Sequence, residues 1–179
     1  MTHRIVAATD GSDSGTGAVA RAIELAAGLG APLSIVHVQN KGRPDEGLRQ
    51  YAEIEHLVSP APPLPPAAPE PREALGPGQW EGLAPDESEG GGTDGLNATI
   101  GEDILRRAVD QARAGGLRDV GSALLDGDPA EAILAHAAAQ GADMIVLGSR
   151  GLGALRGALQ GSVSQKVMHH APCTVVVVR

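Results

Sequence analysis

At 179 residues the chain has room for one α/β domain of ordinary size and an additional segment. A formal charge of −8 argues against broad nucleic-acid binding, which needs a basic face, and the lone Cys173 excludes an internal disulfide framework or a multi-cysteine metal site. Aromatic residues are limited to Tyr51 and Trp80, which removes the stacking platforms of single-strand nucleic-acid binders and leaves the core to Ala, Val, Ile and Leu.

A first strand is expected over residues 4–9, too near the N-terminus to leave space for a signal peptide. No apolar run approaches the roughly 20 residues of a membrane span. Together these predict a cytoplasmic protein with no membrane partner. Asp10-Gly11-Ser12-Asp13-Ser14 follows as a turn with several N-cap candidates. Beyond it Ala18, Val19, Ala22, Ile23, Leu25, Ala26 and Leu29 recur at three- and four-residue spacing. That predicts an amphipathic helix ending near Gly28 or Gly30. Residues 33–38 make a second strand, so the first forty residues form a parallel βαβ unit with a right-handed crossover.

Residues 41–98 break the pattern. Leu48, Tyr51, Ala52, Ile54 and Leu57 suggest a short helix within 44–58. Residues 59–98 then hold nine prolines, seven glycines and seven carboxylates against the single Arg72. Such a stretch cannot bury enough surface to offset its ordering entropy. It is expected to be a mostly flexible insertion in a single 1–179 domain, a tolerated linker in the plainer reading and a partner-docking segment in the other.

The alternation then resumes. Ile104, Leu105, Ala108, Val109 and Ala112 share one face of a helix expected over 102–114, and 120–125 is a strand. Asp128-Pro129 supplies an N-cap carboxylate and a first-turn proline for a helix over 130–140. Residues 144–147 are a buried strand, 162–170 a helix and 174–178 a last strand. Five strands alternating with four helices predict a doubly wound, Rossmann-like parallel sheet in a three-layer α/β/α sandwich.

In such a sheet ligands sit outside the carboxyl ends of the strands, where strand order reverses. Both expected places carry chemistry. Asp10, after the first strand, is suited to accept hydrogen bonds from ribose hydroxyls. Gly148-Ser149-Arg150-Gly151, followed nine residues later by Gly161-Ser162, lets backbone N–H groups and a helix N-terminus approach anionic oxygens. Two halves of one nucleotide site are more specific than either motif alone.

With the loop Gly148-x2-Gly151-x9-Gly161-Ser162, the opening Asp10-Gly11-Ser12 and the valine-rich strand after Pro172-Cys173, the chain resembles the universal stress protein (UspA) family over about 1–40 and 100–179. The resemblance implies an adenine nucleotide alpha hydrolase-like fold acting in stress response or signalling. It implies ATP (or AMP or ADP) as ligand, with Mg or Mn as companion cation, and a homodimer. Asp10 would then hold the ribose, with Ala8 and Thr9 on the adenine side and the Val38 backbone meeting adenine. Gly148, Arg150, Gly151, Gly161, Ser162 and Val163 would surround the phosphates, with Ser149 nearby. The edge strand Thr174–Val178 is expected to form the dimer contact.

The other readings are plainer. Ser149 or Ser162 lacks the Gly-x-Ser-x-Gly elbow of a hydrolase. His37 is read as a satisfied core or edge residue and His136 as solvated. His169 and His170 close a helix, where a cation suits the dipole; metal binding there is the lesser reading. Asp128 is read as an N-cap and Asp126 as a turn residue, while Arg150 stays open between phosphate ligand and solvated charge. Cys173 is expected to be buried and inert. No general base stands out beside the loop, so a binding protein, at most a weak ATPase, is expected. The alternatives are a slow ATP-hydrolysing or AMP-forming enzyme of the same fold and a dimeric scaffold without nucleotide. For the enzyme, residues 9–14 match the Ser-Gly-Gly-x-Asp-Ser loop of ATP pyrophosphatases only loosely.

Overall fold

The computed structural model describes residues 3–39, 90–151 and 161–179, with side chains from residue 97 in the second stretch. The proline-rich part of the expected insertion and the interior of the glycine-spaced loop therefore lie outside the described residues. Elements follow as β1 (Ile5–Ala8), α1 (Asp13–Leu29), β2 (Leu33–Gln39), α2 (Gly90–Ala114), β3 (Val120–Asp126), α3 (Pro129–Gln140), β4 (Met144–Gly148), α4 (Ser162–His170) and β5 (Thr174–Val178).

The five strands form one parallel sheet in the order β3-β2-β1-β4-β5. The chain steps outward from β1 to β3, then crosses back to β4 and β5. Strand order thus reverses between β1 and β4, whose ends are level because Ala8 pairs with Leu147. In open α/β sheets such a reversal is where ligands sit, outside the carboxyl ends of the strands.

Alternation along the strands feeds two cores. Ile5, Ala7, Leu33, Ile35 and Val146 point to the face covered by α1 and α2. Val6, Ala8, Val36, Ile145 and Leu147 point to the face holding Ile133 of α3 and Val167 of α4. Ala18, Ala22 and Ala26 are fully buried at four-residue spacing, so α1 lies close on the sheet without aromatic filling. Of the several N-cap candidates before α1 it is Ser12 that serves, its hydroxyl accepting from Gly15 N at 3.1 Å, and the Asp128 carboxylate accepts from Glu131 N at 3.0 Å as expected, with Pro129 opening the helix.

One boundary differs. The helix expected from residue 102 begins at Gly90, inside the stretch assigned to the insertion. Asn97, Ile100, Ile104, Ala108 and Ala112 continue one buried face. Tertiary packing of that face outweighs the poor intrinsic propensity of a glycine-rich start. Gly101 lies within this face because the helix rides on β2 and β3: a Cβ there would fall 2.6 Å from Leu124 Cδ1 and 2.9 Å from His37 Cδ2. Cys173 is half-buried rather than fully buried; burial, with Asp143 nearby, pushes its thiol up, so it stays protonated. Among the described residues no helix is long and apolar enough to cross a membrane.

Candidate functional site at the carboxyl edge of β1 and β4

Thr9 continues β1 by one ladder bond, its N–H donating to Val36 O at 3.0 Å. The chain then turns sharply. Gly11, at φ 83°, adopts a conformation that side chains disfavour, and its N–H donates to Thr9 Oγ1 at 3.2 Å. The Asp10 carboxylate accepts from Ser12 N at 3.1 Å and from the Ser12 hydroxyl at 2.6 Å. Ser12 therefore orients Asp10 and caps α1 at the same time.

β4 arrives beside this turn with almost no clearance. A Cβ at Gly148 would lie 2.6 Å from Ser14 Oγ and 2.8 Å from the Ser14 backbone, so the first turn of α1 rests on bare glycine. A Cβ at Gly151 would lie 2.5 Å from Asp10 Oδ2. The Ser14 hydroxyl donates to Arg150 O, which ties the two strand ends together.

The glycine-spaced loop is closed at its base. Gly161 N donates to Ser149 O at 2.7 Å, and the buried Ser164 hydroxyl donates to Ser149 O at 3.2 Å and Gly161 O at 2.9 Å. Ser149 N in turn donates to Val178 O at 2.6 Å. α4 has Gly161 at its N-cap and no side-chain capping bond. Its first turn, residues 162–164, presents the N–H groups that an α-helix leaves without intrahelical acceptors. With the partial positive charge of the helix end, these are suited to an anion.

Of the residues expected to form the site, the structure brings Asp10, Gly148, Ser149, Arg150, Gly151, Gly161 and Ser162 into this one cluster. Ala8, Val38 and Val163 belong with the core on the α3–α4 face, at the carboxyl side of the sheet. Thr9 is buried. Arg150 contributes its carbonyl oxygen to Ser14, while the residue itself is exposed. Among the described residues there is no group of three His, Cys, Asp or Glu placed to hold a metal ion.

Ser14 and Ser164 are neighbours of this cluster that the sequence did not single out. Their signal was faint: a hydroxyl in the first turn of a helix is ordinarily a cap. His136 corrects another expectation. It is half-buried, its Nε2 lies 3.0 Å from Ser34 Oγ, and burial pushes its pKa down. His37 is a satisfied core residue, with Nδ1 2.9 Å from Thr9 O. A cleft of about 200 Å³, lined by Thr9, Gly11, Thr16, Arg107 and Gln111 among others, lies between α1 and α2 and borders the Asp10 turn through Thr9 and Gly11.

The family model described as "Universal stress protein family" matches residues 1–179. The universal stress protein YxiE of Bacillus subtilis is 31% identical over 181 residues, covering 100% of both chains. A universal stress protein crystallised in complex with cAMP is 27% identical, with a TM-score of 0.59 over 99% of this chain and 97% of that one. The universal stress protein from Archaeoglobus fulgidus in complex with dAMP is 20% identical, with a TM-score of 0.57 over 100% and 98%.

Proposed function

The chain belongs to the universal stress protein family, and we propose that it serves there as an adenine-nucleotide receptor in stress response or signalling. One observation carries the reading: the Asp10 carboxylate is packed onto the bare Cα of Gly151, beside the uncapped start of α4. A ribose-binding carboxylate and a phosphate-binding helix end then lie in one crevice at the strand reversal. Complexes of similar proteins with cAMP and dAMP support an adenine ligand.

Asp10 takes the ribose hydroxyls, the edge formed by Ala8, Thr9 and Val38 lies against adenine, and Gly148 to Gly151 with Gly161 to Val163 surround the phosphates. ATP is the proposed resident, its Mg or Mn held by the phosphates. The protein binds and at most hydrolyses slowly, because the Asp10 carboxylate is already engaged by Ser12 and no other acid or base is brought to the loop among the described residues. Nucleotide released by denaturing the purified protein, identified by mass spectrometry, is expected to be an adenine nucleotide. A protein that releases none, and takes up neither ATP, AMP nor cAMP in calorimetry, contradicts the proposal.

The protein is further proposed to act as a homodimer through β5. This strand lies at the sheet edge, and Val175 to Val178 are only half-buried. Thr174 N donates to Asp143 O and Val178 O accepts from Ser149, so residues 174, 176 and 178 face β4 while 175 and 177 turn their backbone outward. An exposed valine-rich edge invites a second copy of itself in an isologous contact. Val177→Pro removes an outward donor without touching the internal ladder. Sedimentation at micromolar concentration should give a dimer for the wild type and a monomer for Val177→Pro; a monomeric wild type refutes the contact.

A further inference from the structure

His37 is the one histidine among the described residues that is fully buried, 3% exposed in the middle of a parallel sheet. Its Nδ1 lies 2.9 Å from the carbonyl oxygen of Thr9. A carbonyl only accepts, so Nδ1 carries the hydrogen and Nε2 is the bare nitrogen of the neutral ring. Thr9 is the residue immediately before Asp10. Its N–H is fixed by Val36 O, its side chain accepts from Gly11 N, and its carbonyl is held by His37. The other edge of the ring is covered by α2, where a Cβ at Gly101 would lie 2.9 Å from Cδ2 and 3.4 Å from Nε2.

We propose that His37 is a positioning residue of the nucleotide site: its Nδ1–H fixes the Thr9 peptide and with it the Asp10 carboxylate, and a second proton at Nε2, driven against the backbone of α2, loosens the turn and releases nucleotide. This rests on the adenine-nucleotide reading above and assigns that site a regulation by acid. The groups around the ring leave little to stabilise the added charge. β3 faces it with Leu124, its register partner, and α2 with Gly101. Asp103 of α2 is engaged by Arg106 and Arg107. Asp10, from the β1–α1 turn, is the charge that acts on the ring.

The sign follows from burial. Desolvation holds the ring below its ordinary value of 6.5, with the Thr9 bond and Asp10 pulling in the opposite sense. The unfolded chain therefore takes up its proton first as pH falls below 6.5, so native stability and order in the turn are lost on the acid side and recovered above it. His136 shifts in the same direction, but it sits on the other face, bonded to Ser34. A variant at position 37 removes only the first contribution.

The test compares His37→Asn, whose amide can still donate to Thr9, with His37→Leu, of similar size and without a donor. By calorimetry with AMP at about pH 7.5, His37→Asn should stay within about threefold of the wild type and His37→Leu should lose about tenfold or more. With cAMP, whose phosphodiester does not titrate in this range, the wild type should weaken on going to about pH 5.5, and His37→Asn should lose that pH dependence. Independently of any nucleotide, the Gly11 and Ser12 amide resonances should titrate with the midpoint of the His37 ring in the wild type and not in His37→Asn. Wild-type affinity in a folded His37→Leu overturns the proposal, as does equal loss in both folded variants or amides that ignore the ring. A wild type that binds no adenine nucleotide, while those amides follow the ring, overturns the nucleotide reading and supports the positioning of the turn.

Discussion

Gly151→Val is expected to lower adenine-nucleotide affinity at least tenfold, about 1.4 kcal/mol, with the fold retained. The added Cβ would sit 2.5 Å from Asp10 Oδ2 and 3.7 Å from Asp10 Cγ, so the carboxylate must leave the position in which Ser12 holds it. Gly151 is itself exposed, so the displaced groups are on the rim of the crevice and not in the core. The substitution therefore separates binding from stability. Calorimetry with ATP and AMP, alongside a thermal melt, checks both. Unchanged affinity in Gly151→Val would remove Asp10 and the loop from the ligand's path.

Gly148→Val should do the reverse and cost stability first, on the order of 3 kcal/mol, the upper end of ordinary overpacking. Here the added atom meets Ser14 backbone at 2.8 Å, and backbone cannot swing aside as a side chain can. α1 would have to lift from β4, giving up contacts of Ala18, Ala22 and Ala26, all fully buried. A melting-temperature drop of roughly 6–12 °C follows for a domain of this size. Gly121→Val is the control: it is also a strand glycine, but nothing lies within 4 Å of its added Cβ, and it should melt like the wild type. Equal melting of Gly148→Val and the wild type would mean that α1 is not seated on β4 as described.

Both effects depend on glycines whose importance was only half visible in the chain. The spacing of Gly148, Gly151 and Gly161 after an apolar strand pointed to a phosphate cradle, and alternation of short apolar runs with helical periods was enough for the parallel sheet. What lies opposite each glycine could not be read, because Ser14 and Asp10 reach β4 from more than a hundred residues away. The start of α2 was hidden for a related reason. Its glycine-rich first turns argue locally for a loop, and the burial of Asn97 and Ile100 becomes apparent only once the sheet is in place. His37 could be placed in the core or at an edge from its strand, whereas His136 was read as solvated; their partners, Thr9 O and Ser34 Oγ, are set by topology. Asp10 could be singled out as a candidate because a carboxylate directly after the first strand of such a sheet has few structural uses beyond a turn, and its bond to Ser12 is a use of that kind.

An adenine nucleotide is proposed to sit between the Asp10 turn and the start of α4. Titrating ATP into nucleotide-free protein, with backbone amide resonances as the readout, tests it most directly. Saturable shifts are expected at Asp10, Gly151, Gly161 and Ser162, with Val120 and Gly121 on the far edge of the sheet unmoved. Saturation without movement at those four residues, or shifts confined to the cleft around Thr16 and Gln111, would contradict it.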